Sequence, residues 1–168
     1  LNLCTHLSGI ATLTGRYVGA VATVPGAKAR ICDTRKTIPG LRALAKYGVA
    51  CGGGVNHRTG LHDAMLVKDN HIAHLPAAKL RAALEQAIAQ ARATTPAPRF
   101  VEVEVDTLEQ VRSVLACRAD ARPDMVLLDN MPPATLREAV AMRDASAPGV
   151  LLEASGGVNL STVAAIAA

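Results

Sequence analysis

The sequence predicts a parallel α/β fold, and three observations predict it. Apolar runs that end in polar residues recur at 29–33 (ARICD), 64–68 (AMLVK), 99–105 (RFVEVEV), 125–129 (MVLLD) and 149–153 (GVLLE). Their starts are 35, 35, 26 and 24 residues apart, room each time for a helix and two loops. Polar residues sit at or just past the C-terminal end of each run: Arg35 and Lys36, Lys68, Glu104, Asp129 and Ser155. Strand–helix alternation makes a parallel sheet. In a barrel the strand ends converge on one mouth, where chemistry collects, whereas an open doubly wound sheet concentrates it at one switch point. Five polar strand ends therefore favour an incomplete parallel (α/β) barrel, since five strands do not close one.

Taken in order, segment 1–22 is helical in pattern, with Leu3, Leu7, Ile10, Thr14, Tyr17 and Val21 on one face. After the run 29–33 and a second helix comes "CGGGVNHRTGLHDAMLVKDNH", whose three glycines let the backbone take positive φ and approach something closely. It is neither a phosphate loop of the G-x-x-x-x-G-K-[ST] kind nor a dinucleotide fingerprint. In 76–93, Leu80, Ala83, Leu84, Ala87, Ile88 and Ala91 keep helical spacing, and Pro76 suits the first turn. In "FVEVEVD", Glu102 and Glu104 share a face while Val101, Val103 and Val105 take the other, toward helices. Carboxylates on an inner face need cations or metal, because burying them alone costs several kcal/mol, on the order of 3–5. Glu102 reads as a structural carboxylate; Glu104 lies nearer the mouth and reads as the functional one. "EASGGVNLST" ends a strand at Ser155–Gly157 and opens a helix, an arrangement whose amides suit a phosphate.

Composition narrows the function. Half of the 168 residues are hydrophobic and only 2% aromatic, so the core is built from Ala, Val, Leu and Ile. Residues 28–68 hold eight Lys and Arg against two Asp, while residues 100–129 hold seven Asp and Glu against three Arg. A cationic zone beside an anionic zone suits an anionic substrate with a divalent metal. A nucleic-acid surface would be basic throughout and carry aromatics for stacking. No apolar run approaches the roughly 18 residues of a membrane span, and the N-terminal stretch is too polar for a secretory signal. Cys4, Cys32, Cys51 and Cys117 lack any C-x-x-C spacing and read as reduced, small buried hydrophobes of a cytoplasmic protein. The spacing of His57, His62, His71 and His74 fits no common zinc pattern. The start lacks Met and the end falls in a helical pattern, so both ends are expected to be cut.

The stretches "DTRKTIPGLRALAKY", "CGGGVNHRTGLHDAMLVKDNHI", "VEVEVDTLEQV", "LLDNMPP" and "LEASGGVNL" closely resemble the nicotinate-nucleotide pyrophosphorylase (carboxylating) family, the quinolinate phosphoribosyltransferases. The resemblance covers nearly the whole chain. It implies an incomplete (α/β) barrel of the type II phosphoribosyltransferase kind, truncated here at both ends. Residues 1–168 would be one partial catalytic barrel domain, without the N-terminal sandwich domain and the final barrel strand, and inactive alone. The implied reaction joins quinolinate to phosphoribosyl pyrophosphate, releasing pyrophosphate and CO2 and leaving nicotinate mononucleotide. The implied quinolinate contacts are Arg35, His57, Arg58 and Lys68, with Thr34 beside them and Lys36 at the junction to the donor. Glu104 and Asp129 would face the ribose and Mg²⁺, directly or through water, and Ser155, Gly156 and Gly157 would cradle the 5-phosphate. Lys36, Lys68, Glu104 and Asp129 are the implied catalytic group. The family further implies a homodimer or higher homo-oligomer, without nucleic acid or membrane. A relative acting on another pyridine or azole carboxylate, of the molybdenum-transport-associated type, is the alternative, disfavoured by "LVKDNHI".

Overall fold

The computed structural model describes residues 1–72 and 74–168, and the side chains of all of these except residues 77 and 78. In chain order the elements are α1 (Asn2–Ala22), α2 (Arg42–Cys51), β1 (Met65–Val67), α3 (Asp69–Ile72), α4 (Ala77–Arg92), β2 (Val101–Val105), α5 (Leu108–Leu115), β3 (Met125–Asp129), α6 (Pro133–Ser146), β4 (Leu151–Ser155) and α7 (Val163–Ala167). They form two compact units, Leu1–Leu61 with Val158–Ala168, and His62–Gly157. Among the described residues no helix is long and apolar enough to cross a membrane.

The first unit is built on α1 and α2. Of the predicted apolar face of α1, Thr14 and Val21 are buried, Leu7, Ile10 and Tyr17 are half-buried, and Leu3 is exposed. The helices approach closely because Gly48 offers no side chain: a Cβ there would lie 3.2 Å from Ile10 Cγ2 and 3.3 Å from the Leu7 carbonyl. The glycine run after α2 continues this packing. A Cβ at Gly52 would overlap Ala11 and Thr14, and one at Gly54 would sit 2.7 Å from Val49 Cγ1. Only Gly53 of the three has a positive φ, +84°. The run is therefore small so that the chain can pass against α1, and what it approaches is protein.

The expected strand at 29–33 does not form. It is reduced to one parallel bridge, Cys32 with Val55, held by Val55 N donating to Ile31 O (2.8 Å) and Asp33 N donating to Val55 O (3.1 Å). Past Asp33 the chain turns instead of extending, with Lys36 N donating to Thr34 Oγ1 (3.2 Å) and Thr37 N to Arg35 O (2.9 Å).

The second unit holds the remaining four strands as an open parallel sheet in the order β1-β2-β3-β4. Val101, Val103, Val105 and Val126 are at most 1% exposed, and Leu128 is 2% exposed. The face of α4 appears as predicted, with Leu80, Leu84 and Ile88 buried. Thr107 starts α5 with a capping box, its hydroxyl accepting from Gln110 N (3.2 Å) while Gln110 Oε1 accepts from Thr107 N (3.3 Å). At the opposite end of β2, Asp124 Oδ2 accepts from Val101 N (2.7 Å) and its other oxygen pairs with Arg92 (3.1 Å). β4 begins at Leu151, two residues later than expected, because Val150 N is committed to a turn with Ala147 O. The sheet, with four strands rather than five, matches an incomplete (α/β) barrel and is not closed.

Candidate active site

In the second unit the parallel register decides which side chains share a face. Glu104 pairs with Leu127, Leu127 with Glu153, and Asp129 with Ser155. Paired residues of a parallel sheet point the same way, so Glu104 and Glu153 lie in one row, and Asp129 and Ser155 lie one pleat nearer the C-terminal rim. Lys68, just past β1, reaches that row, its Nζ 3.9 Å from Glu104 Oε2. The Lys68 side chain is 48% exposed and that of Glu104 14%, so the pair is loose and the ammonium is available to an anion. Lys68, Glu104, Asp129 and Ser155 thus stand at successive strand ends, as predicted.

Glu104 is an unusual carboxyl. Burial raises its pKa, Lys68 opposes this, and the charges of Asp69, Asp129 and Glu102 raise it further. Glu102 itself is fully buried on the same face. A half-buried carboxyl with this many acidic neighbours is short of positive charge, which is the condition a divalent cation relieves.

Ser155, Gly156 and Gly157 follow directly at the end of β4. Gly156 and Gly157 have φ of +81° and +63°, so two successive left-handed residues turn the backbone there. The helix expected to begin at this turn starts only at Val163. The intervening residues are held by Asn159, whose Oδ1 accepts from Ser161 N (2.9 Å) and Thr162 N (3.2 Å). Any anion site at 155–157 is thus a glycine turn and not a helix N-terminus.

The first unit carries the other candidates. Thr34 and Lys36 are exposed, Arg35 and His57 half-buried, and Arg58 buried. Arg35 Nε is shut from solvent and has no hydrogen-bond partner among the described residues. What fixes these loops is a buried ion pair absent from the sequence reading. Lys46 Nζ donates to Asp33 Oδ1 (2.6 Å) and to His57 O (3.0 Å), and His57 N donates to the same Asp33 oxygen (2.8 Å). With its amide nitrogen turned inward, Asn56 donates to Asp33 Oδ2 (2.8 Å) and Lys46 O (3.0 Å). Arg42 adds a second tie, from Nη1 to Thr59 O (3.2 Å) and from Nη2 to Arg35 O (3.4 Å). The segments bearing Arg35–Lys36 and His57–Arg58 are therefore both anchored on α2.

Three of the four cysteines depart from expectation. Cys117 is buried, and burial pushes its thiol up to about 11. Cys4 and Cys51 are exposed because α1 and the end of α2 each present one face to solvent, and Cys32, in the bridge with Val55, is half-buried.

Comparison with known proteins identifies the family. A family profile described as "Quinolinate phosphoribosyl transferase, C-terminal domain" matches residues 10–168. A Mycobacterium leprae protein named nicotinate-nucleotide pyrophosphorylase [carboxylating] is 50% identical over 164 residues, 98% of this chain and 53% of that protein. A Synechocystis protein named probable nicotinate-nucleotide pyrophosphorylase [carboxylating] is 42% identical over 99% of this chain and 52% of its own length. The crystal structure of NadC from Streptococcus pyogenes superposes with a TM-score of 0.80 at 40% identity, covering 98% of this chain and 52% of that one. The chain spans about half the length of the curated relatives it matches. It belongs to the family of quinolinate phosphoribosyl transferase C-terminal domains.

Proposed function

We propose that this chain carries the catalytic barrel segment of a cytoplasmic quinolinate phosphoribosyltransferase, acting as a homo-oligomer in its full-length form. The observation that carries the reading is the pairing of Asp129 with Ser155 at adjacent strand ends, with a double left-handed glycine turn immediately after Ser155. In this reading the Asp129 carboxylate serves a ribose or metal and the neighbouring backbone amides serve a phosphate, the two ends of a phosphorylated sugar.

The roles are those that the family resemblance implies. Arg35, His57, Arg58 and Lys68 are assigned to the two carboxylates of quinolinate, with Thr34 at their edge. The buried Arg35 Nε, without a partner among the described residues, is a donor that a substrate carboxylate satisfies. Lys36 lies at the junction to phosphoribosyl pyrophosphate, Glu104 and Asp129 face its ribose, and Ser155–Gly157 bind its 5-phosphate. Glu104 and Asp129 are also the residues that would hold Mg²⁺, directly or through water, and the acidic surroundings of Glu104 fit such an ion. When bound, Mg²⁺ supplies positive charge against the departing pyrophosphate. The pyridine nitrogen forms its bond to the ribose carbon as the bond from that carbon to pyrophosphate breaks. The ring's 2-carboxylate then leaves as CO2, its bonding pair stays on the ring carbon, and that carbon takes up a proton. Throughout, the cations orient the acceptor and the carboxylates face the positive charge that develops on the sugar.

Steady-state kinetics of the full-length protein test this reading. Pyrophosphate release is expected with quinolinate, with far less from nicotinate or nicotinamide. Arg35→Ala should lower kcat/KM for quinolinate more than about tenfold, the scale of losing one carboxylate–cation contact. Equal turnover of nicotinate, or an unchanged Arg35→Ala enzyme, overturns the assignment.

A further inference from the structure

Asn130 is a non-glycine residue of the described chain with a positive φ, 54°, and it follows directly on Asp129. Asparagine tolerates this left-handed conformation better than most residues, but it remains an uncommon backbone state that something must hold. Its backbone supplies one restraint: Asn130 N donates to Ser155 O (2.8 Å), one step past the last paired rung of β3 and β4. The side chain, though exposed, is engaged on both sides. Its Nδ2 donates to Asp129 Oδ2 at 2.7 Å. Its Oδ1 and Cγ lie over Gly156, where a Cβ would overlap them and would come within 2.9 Å of Asn130 N.

One residue thus touches three things: the Asp129 carboxylate, the Ser155 carbonyl and the Gly156 backbone. A serine or alanine at 130 could not reach the Asp129 oxygen from this backbone while covering Gly156. A residue with a Cβ at 156 could not coexist with the amide in its present place. The left-handed turn at Asn130 is what brings its amide back over both neighbours.

We propose that Asn130 is a positioning residue that locks the direction of the Asp129 carboxylate to the position of the Ser155–Gly157 turn, so that the ribose and 5-phosphate of one donor molecule are met at a fixed separation. The inference rests on the functional reading above. It assigns Asn130 no contact with the donor; the residue acts through Asp129 and Gly156.

Two variants of the full-length protein separate side chain from backbone. Asn130→Gly keeps the positive φ at no steric cost and removes only the amide. Asn130→Asp keeps the shape but replaces the donor to Asp129 with a second carboxylate. Calorimetric titration with phosphoribosyl pyrophosphate and Mg²⁺, and separately with quinolinate, is read beside thermal melting and the Mg²⁺ dependence of turnover. Loss of a hydrogen bond to a charged group predicts about tenfold weaker donor binding for Asn130→Gly and a larger loss for Asn130→Asp. Quinolinate binding should stay within about twofold, on the scale of experimental scatter rather than of a lost contact. The Mg²⁺ concentration for half-maximal rate should rise in Asn130→Gly, which a merely structural role would not produce. Donor affinity within twofold of the parent in either variant, or equal weakening of donor and quinolinate, overturns the inference. A parent protein that binds no phosphoribosyl pyrophosphate overturns the functional reading itself and the inference with it.

Discussion

Replacing Lys46 by Met would test whether the buried ion pair holds the cation-bearing loops. Both side chains of the Lys46–Asp33 pair are 6% exposed, and the ammonium also donates to His57 O. Methionine keeps most of the apolar stem and removes the charge, leaving the Asp33 carboxylate buried. Removing one partner of such a pair costs about 3–5 kcal/mol. Asp33 would retain His57 N as a donor at 2.8 Å and Asn56 at 2.8 Å, which places the expected cost near the lower bound, about 3 kcal/mol. For a chain of this size each kcal/mol moves Tm by about 2–4 °C, so the melt should fall by about 6–12 °C. Urea unfolding of parent, Lys46→Met, Asp33→Leu and the double variant gives the free energies and their coupling. The double variant should be more stable than Lys46→Met alone, since no charge is left stranded. A Lys46→Met protein within about 1 kcal/mol of the parent would mean that Asp33 is not held buried by this pair, because a stranded buried carboxylate cannot be that cheap.

Three further predictions follow from the second unit and the thiols. Glu104 has a raised folded pKa, so its stabilising contribution is fully present below the unfolded value, about 4.3, and is lost as pH rises through the folded value. Glu104→Gln should therefore melt higher than the parent at pH 7, with the difference fading toward about pH 4, while activity drops; a variant that melts lower at pH 7 contradicts this. Gly156→Val must adopt φ of +81° with a branched side chain and displace Asn130, and should weaken phosphoribosyl pyrophosphate far more than quinolinate in calorimetric titration; equal losses would point to general misfolding. A thiol-specific reagent should modify Cys4 and Cys51 promptly and Cys117 only on unfolding, since its thiol is buried and pushed up to about 11; prompt reaction of Cys117 in the folded chain counts against the packing described.

Much of the second unit was legible in the sequence because its strands are short apolar runs, and the alternation in "VEVEV" states which face each residue takes. The same reasoning failed at "ARICD", whose composition is as strand-like. There Asp33 gives its carboxylate to Lys46 and His57, and the chain turns before a second rung can form. Lys46 was invisible for a related reason. A lysine within an amphipathic helix reads as a solvated residue, and its partner lies 13 residues earlier in sequence. The glycines of "CGGG" left the object of the close approach open, because a glycine run records only that something is approached and not what. Glu153 was read as the end of a strand, and only the register showed that it shares a row with Glu104. Asn130 carried a signal that could have been found: asparagine directly after a strand-ending aspartate is a candidate for a left-handed turn. Thr34–Lys36, His57–Arg58 and Lys68 were candidates through the family resemblance, whereas the Lys46 and Arg42 contacts that anchor the first two of these segments were not visible in the sequence.

In the proposed function the full-length protein joins a dicarboxylated pyridine to a phosphorylated sugar with loss of one carboxylate. The most direct measurement is to incubate the full-length protein with Mg²⁺, phosphoribosyl pyrophosphate and quinolinate labelled in its 2-carboxylate, and to quantify labelled CO2, pyrophosphate and the pyridine nucleotide together. All three are expected in equal amounts, with a nucleotide that carries one carboxylate and no label. A nucleotide that keeps the label, or pyrophosphate released without labelled CO2, would contradict it.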